Sequence, residues 1–120
     1  HRLHDALNWA ALYIGEGATT ASECAMLGTP ALYINTITAG TLEKQEQYGL
    51  LFIFHHSEGL ISKALSLLNT PGFRSEFHYK RDKMLEENID VSSLLTWFVE
   101  NYPQSRKVMQ ADPSYQLNFR

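Results

Sequence analysis

Three runs of consecutive apolar residues mark the first half of the chain, at residues 11–14, 31–34 and 50–54. None of them alternates polar with apolar positions, and Gly, Pro or Asn lies beside them. This pattern is typical of strands buried on both faces of a parallel sheet. Segments of helical length separate the runs. The order helix, strand, helix, strand, short helix, strand, helix therefore predicts βαβ units with right-handed crossovers.

Start and stop signals define the predicted helices. One covers residues 2–10, and a second covers residues 18–27 and ends at Gly28, a favourable C-terminal cap with Pro30 just beyond it. Ser57 is a candidate cap for a helix with an apolar stripe between residues 60 and 68. Asp90 is a candidate cap for another apolar-striped helix, which Pro103 ends.

The organisation of the chain suggests a piece of a larger protein. We expect one domain over residues 1–103 and, because residues 104–120 lack periodicity, a polar tail after it. Three parallel strands make about half of an ordinary doubly wound sheet, and alone they leave sheet edges unpaired. The chain also starts at His1 inside a predicted helix. We therefore expect a fragment, with strands before His1 or a partner covering an edge.

Composition narrows the classes of function. The 120 residues are 44% hydrophobic and 19% charged, which is enough apolar material for a core. Ten Lys and Arg against thirteen Asp and Glu give a net charge of −3, so a strongly basic nucleic-acid-binding surface is excluded. No apolar run approaches the roughly 20 residues of a membrane-spanning helix, and no signal peptide is visible. With Cys24 as the single cysteine, we expect a cytoplasmic protein or one peripheral at a membrane.

The histidines and the charged run at residues 80–83 do not indicate a site. His1 and His4 share a helix face and His55 and His56 are adjacent, but no carboxylate or cysteine joins them at a metal-ligand spacing. We therefore predict no metal, and a structural role for His4. Residues 80–83 are read as a solvated face of mixed charge.

Candidate chemistry lies between the first strand and the second helix. Gly15 and Gly17 allow a backbone to approach an anion without a Cβ in the way. The helix starting at Ala18 presents free N–H groups and a positive dipole end, and Thr19 and Thr20 add hydroxyl donors. Ligands of open parallel sheets bind at this carboxyl end of the strands. The pattern favours a phosphate site.

Glu23 extends this site towards a nucleotide. It lies one helical turn after Thr19, on the same helix face. In dinucleotide-binding folds, a carboxylate close to the phosphate site accepts hydrogen bonds from the two neighbouring hydroxyls of the ribose. The alternative is an ordinary strand–turn–helix connection, in which Glu23 is simply a solvated side chain.

The same residues carry a resemblance. The run GATTASE at residues 17–23, followed by CAMLGTP and an apolar strand, resembles the donor-binding segment of GT-B glycosyltransferases. It is similar to the C-terminal domain of the lipid II-forming N-acetylglucosaminyltransferases and to non-hydrolysing UDP-N-acetylglucosamine 2-epimerases. From Leu3 to Tyr102 the chain resembles a domain-of-unknown-function family of predicted glycosyltransferases, in which Tyr-Gly-Leu precedes the next strand, as it does here at residues 48–50.

The resemblance implies a fold and a donor site. The fold is a Rossmann-like parallel sheet flanked by helices, the C-terminal half of a GT-B fold, with a UDP-sugar as the donor substrate. Glu23 would bind the ribose, and the loop and helix at residues 35–47 would contact the sugar. The diphosphate would be held chiefly by backbone N–H groups of Gly17, Ala18, Thr19 and Thr20, and the sugar-side candidates are Glu43, Gln45 and Glu46.

Glu16 departs from the family pattern. The glycosyltransferases often carry Arg or Ser at this place before the glycine. A carboxylate beside a diphosphate is repulsive unless a proton, a metal or a hydrogen bond offsets it. Glu16 is therefore expected either to point away from the phosphates or to face the sugar, and with Gly15 it completes the set of candidate binding residues.

The implied reaction is metal-independent glycosyl transfer, with the diphosphate leaving group stabilised at a helix N-terminus. The acceptor site and the general base are expected in an N-terminal Rossmann-like domain of the same protein, so no catalytic residue is assigned in this chain, and no cofactor is expected. One alternative is a UDP-N-acetylglucosamine 2-epimerase-like enzyme, although its acid–base carboxylates have no place in this segment. Two others are a nucleotide-binding module without turnover and an interaction domain that binds no UDP.

Overall fold

The computed structural model describes residues 2–37 and 39–120; His1, one of the histidines considered above, lies outside them. The chain is an α/β protein in which helices and strands alternate up to the third strand and helices follow. The elements are α1 Arg2–Trp9, β1 Tyr13–Gly15, α2 Ala18–Leu27, β2 Ala31–Ile34, α3 Gly40–Gln47, β3 Leu51–Phe54, α4 Leu60–Leu68, α5 Phe73–Glu87, α6 Val91–Glu100, α7 Gln104–Ala111 and a 3₁₀ helix Pro113–Phe119.

The three strands form one parallel sheet in the order β1-β2-β3, which confirms the predicted α/β fold class at the level of a parallel sheet flanked by helices. The register places Leu32 beside Ile14 on one side and beside Phe52 on the other. β1 starts at Tyr13, whose N–H bonds the carbonyl of Pro30. The strand is shorter than the apolar run at residues 11–14 because its hydrogen-bonded pairing with β2 begins at Tyr13.

Each face of the sheet packs on different helices. Leu32 packs with Leu60 and Ala64 of α4, and this core includes Phe52 on the same face. Because side chains alternate between the faces of a strand, Tyr33 points to the opposite face. There α2 packs on β1 and β2 and also contacts α1 and α3. The small buried residues of α2, which include Ala21, allow this close approach.

Gly28 ends α2 as predicted, with a left-handed backbone at φ 77°. A Cβ at this position would lie 2.6 Å from the His78 ring, so the turn has neither the conformation nor the room for a side chain. Next to it, the buried Thr29 hydroxyl donates to the Leu7 carbonyl at 2.8 Å and ties the turn to α1.

Two arginines of helix α5 bind the carboxyl-terminal ends of α1 and α2. The Arg74 guanidinium donates to the carbonyls of Asn8 and Trp9 at the end of α1. Arg81 Nη1 donates to the Leu27 carbonyl at the end of α2, at 3.2 Å. Cations at helix C-termini stabilise the negative dipole end. The reading of residues 80–83 as a solvated face is therefore wrong for Arg81.

The chain divides into two compact units, one up to Asp82 and one over Lys83–Arg120. In the second unit, Asp90 caps α6 as predicted by accepting from the Ser93 N–H. Trp97 stacks on Tyr115 with ring centroids 4.9 Å apart. The assignment of residues 1–103 to one nucleotide-binding domain stays a prediction.

In the segment expected as a polar tail, residues 104–111 form α7 and residues 113–119 form a 3₁₀ helix. Ser105 of α7 is buried and donates to the Phe98 carbonyl at 2.6 Å. Val108 and Met109 are half-buried on the same side of the helix. This stripe is too short for periodicity to reveal. Within the described residues, no helix has both the length and the apolar character needed to span a bilayer.

Candidate functional site

Helix α2 begins without a side-chain cap at the carboxyl end of β1. Its N-cap is Gly17, with an extended backbone at φ −81° and ψ 105°. The first helical hydrogen bond runs from the Ala21 N–H to the Gly17 carbonyl at 3.0 Å. The N–H groups of Ala18, Thr19 and Thr20 precede that bond and have no acceptor within the helix. These three N–H groups are therefore available to donate hydrogen bonds outside the helix.

A pocket of about 340 Å³ opens beside this helix start. Its second wall is the start of α3, whose N-cap, Ala39, also provides no side-chain hydrogen bond. The positive ends of two helix dipoles therefore meet at one pocket. Three predicted site residues come together in it, and the lining residues are Ala18, Thr19, Ser22, Glu23, Ala39 and Thr41.

Tyr13 fills the space that the two glycines leave open. Its hydroxyl lies 3.5 Å from the Gly17 carbonyl oxygen. A Cβ on Gly15 would overlap that hydroxyl, and one on Gly17 would lie 3.2 Å from it. The small size of these glycines serves to seat the tyrosine ring. Neither glycine lines the pocket, which instead begins at Ala18.

The Glu16 side chain is absent from the pocket lining. Its carbonyl accepts from Asn35 Nδ2 at 3.4 Å, and the Asn35 carbonyl lies 3.2 Å from His55 Nδ1. Because a carbonyl oxygen only accepts, Nδ1 of His55 carries the proton in this contact. These bonds join the ends of all three strands and fix the loops that surround the carboxyl edge.

Glu23 lines the pocket and contacts α1. Its Oε1 lies 3.4 Å from His4 Nε2, with 35% of the Glu23 side chain and 63% of the His4 side chain exposed to solvent. The carboxylate also raises the pKa of the neighbouring Cys24, although burial is the larger cause; together they bring that pKa to about 11. The buried thiol is therefore protonated at neutral pH, as expected for a structural cysteine.

The sugar-side candidates on α3 do not line the pocket. Gln45 is buried and its Nε2 donates to the Ser22 carbonyl at 3.3 Å, so it joins α3 to α2. Glu46 Oε1 accepts from the Ile53 N–H at 2.8 Å and covers the outer edge of β3. Glu43 is exposed. Helix α3 starts at Gly40, so residues 43–46 lie a turn or more below the edge.

Ser22, Ala39 and Thr41 are the lining residues that the sequence analysis did not single out. The order of the elements could have indicated Ala39 and Thr41, because α3 begins after β2 just as α2 begins after β1. Within residues 2–37 and 39–120, no group of three or more His, Cys, Asp or Glu side chains is placed to hold a metal ion.

Comparisons of the chain with protein-family models, with curated proteins and with solved structures find no match.

Proposed function

We propose that the pocket between α2 and α3 binds the diphosphate of a nucleotide sugar, and that the first unit is the donor-binding part of a glycosyltransferase with a Rossmann-like, GT-B-related fold. The observation that carries the proposal is the meeting of two uncapped helix N-termini at one pocket that also holds a carboxylate, Glu23. The first feature attracts an anion, and the second accepts from hydroxyl groups.

The pocket's chemistry matches the parts of a nucleoside diphosphate. Thr19, Ser22 and Thr41 are lining residues that carry hydroxyl groups, which can supplement the backbone N–H donors of α2. A volume of about 340 Å³ lies within the range of small-molecule sites. The pocket lies at the carboxyl end of a parallel sheet, where α/β folds bind ligands.

The reaction that follows from this site is transfer of the sugar to an acceptor hydroxyl. The bond from the anomeric carbon to the diphosphate oxygen breaks, and the acceptor oxygen forms the new bond to that carbon. Two helix N-termini stabilise the negative charge that develops on the departing diphosphate, with no metal required. We assign the base that accepts the hydroxyl proton, and the acceptor site, to an N-terminal domain of the same protein.

The test is a ligand series measured by thermal shift and calorimetry on the full chain. We expect UDP and UDP-sugars to raise the melting temperature by mass action, with UMP weaker and uridine weakest, because the helix termini act on the phosphates. Inorganic pyrophosphate should compete with UDP. Equal affinity for UDP and uridine would show that the phosphates are not bound at helix termini and would refute the proposal.

Turnover separates the proposed enzyme from a module that only holds the nucleotide. The protein together with its N-terminal domain should release UDP from a UDP-sugar when an acceptor is present. Binding without UDP release across a panel of sugar acceptors would favour the module.

A further inference from the structure

We propose that His4 is a positioning residue for Glu23 and holds its carboxylate ready for the hydroxyl groups of the bound nucleoside. The inference rests on the proposed function, since it concerns the same pocket. It assigns a binding role to a residue of α1, a helix that contributes nothing to the pocket lining.

The contact between the two side chains is the starting point. His4 Nε2 lies 3.4 Å from Glu23 Oε1, and α1 packs directly on α2. His4 contacts one carboxylate oxygen, Oε1, and a carboxylate has acceptor sites on both oxygens, so Glu23 can still accept from a ligand hydroxyl. At 3.4 Å the separation is long for a hydrogen bond but close for an ion pair. The attraction therefore depends on the charge of the imidazolium.

Among the titratable groups around this contact, His4 and Glu23 are each other's partners. Besides Glu23, the other titratable group of α2 is Cys24, whose thiol is buried and protonated. On α1, Arg2 and Asp5 are the charged residues beside His4 in the sequence. Arg74 of α5 contacts the opposite end of α1, at Asn8 and Trp9.

The exposure of the pair argues against a purely structural role. With 63% of the His4 side chain exposed, solvent screens the attraction, and such ion pairs add little to folding stability. A flexible glutamate in a binding pocket, in contrast, loses side-chain freedom each time a ligand binds. A contact that fixes Glu23 beforehand removes part of that loss and strengthens binding.

The experiment is a double-mutant cycle in UDP affinity, measured by calorimetry on the full chain with His4→Ala, Glu23→Gln and both together. We expect His4→Ala to weaken UDP binding about threefold, as for a partly exposed ion pair. In the Glu23→Gln background the same substitution should change affinity less than about 1.5-fold, because the partner charge is gone. UDP has the same ionisation in every variant, so the ratios are comparable.

Two further variants distinguish positioning from a general effect on α1. His4→Arg supplies a permanent cation and should restore the affinity. Arg2→Ala is the matched control on the same helix and should bind UDP like wild type. Melting temperatures without ligand should agree among all of these proteins.

The outcomes separate this inference from the proposed function. If Glu23→Gln weakens UDP binding and His4→Ala does not, the positioning role is overturned while the nucleotide site stands. An equal loss from His4→Ala with and without Glu23 would also overturn it, because His4 would then act independently of that carboxylate. If wild type binds no UDP, the proposed function and this inference fail together.

Discussion

Thr19→Glu should move stability and ligand binding in opposite directions. Thr19 is the second residue of α2, exposed, and lines the pocket. The first turn of α2 has no acidic residue and its N-cap is glycine, so the positive dipole end is uncompensated. A carboxylate there should stabilise the unliganded protein by about 0.3–1 kcal/mol through the helix dipole, offset by about 0.2–0.5 kcal/mol of repulsion from Glu23 one turn later. The same charge lies where the diphosphate is proposed to bind.

The magnitude for binding follows from Coulomb's law. Two like charges about 4 Å apart repel by roughly 1 kcal/mol in water and about 4 kcal/mol at the effective dielectric of a protein surface. UDP affinity should therefore fall at least about fivefold and by as much as roughly a thousandfold, with the loss shrinking at high salt. Urea unfolding measures the stability, and calorimetry measures the affinity.

Two controls isolate the charge. Thr19→Gln is close to glutamate in shape but neutral and should bind UDP much more tightly than Thr19→Glu. Thr96→Glu makes the same substitution at an exposed position of α6, outside the pocket lining, and should leave UDP affinity unchanged. If Thr19→Glu were more stable than wild type and still bound UDP as Thr19→Gln does, the N-terminus of α2 would not be the phosphate site.

Four other substitutions test single features of the structure. Glu23→Ala should weaken UDP binding by about 1–3 kcal/mol, the range for hydrogen bonds to a charged group, and should reduce discrimination against 2′-deoxy-UDP in calorimetry. Gly28→Ala should destabilise the protein by more than about 1 kcal/mol in urea unfolding, because Gly28 has φ 77° and its Cβ would meet His78. Gly40→Ala, where nothing lies within 4 Å of the added Cβ, should be neutral or stabilising. The pKa of Asp90 is lowered because Ser93 donates hydrogen bonds to its carboxylate. The stability that this carboxylate contributes is therefore present above the ordinary pKa of aspartate. It is lost as the pH falls through the lower pKa of Asp90 in the folded protein. Melting curves of Asp90→Ala and wild type should differ at pH 6 and converge in strong acid, and an equal gap at both pH values would contradict the cap.

The fold was predictable where local signals and long-range pairing agree. β2 matches its apolar run because that run lies between Pro30 and Asn35, and α2 ends at Gly28 because its left-handed turn favours glycine. β1 is shorter than its run because its pairing is set by a neighbouring strand. The environment of Arg81 depends on α5 meeting the end of α2, and no local sequence pattern determines that contact.

The candidate site was predictable residue by residue at one of its two walls, and at the other wall only as the segment 35–47. Gly17 and Ala18 mark the start of α2 in the sequence, but Ala39 and Gly40 carry no capping signal for α3. The sequence therefore indicated Glu43, Gln45 and Glu46, later in α3, and not Thr41. The position of Tyr13 was available in principle, since residues two apart in a strand share a face and Gly15 lies beneath the ring.

The contacts that α5 makes with α1 and α2 determine how long a truncated form of this protein has to be. Every residue that lines the pocket occurs before residue 42, so a fragment ending after β3 would keep them all. Such a fragment would nevertheless lose both guanidinium groups that bind the carbonyls of Asn8, Trp9 and Leu27. Unpaired carbonyls at the ends of α1 and α2 would loosen the same helices that carry His4 and Glu23. The shortest expression product worth making for ligand studies therefore extends past Arg81.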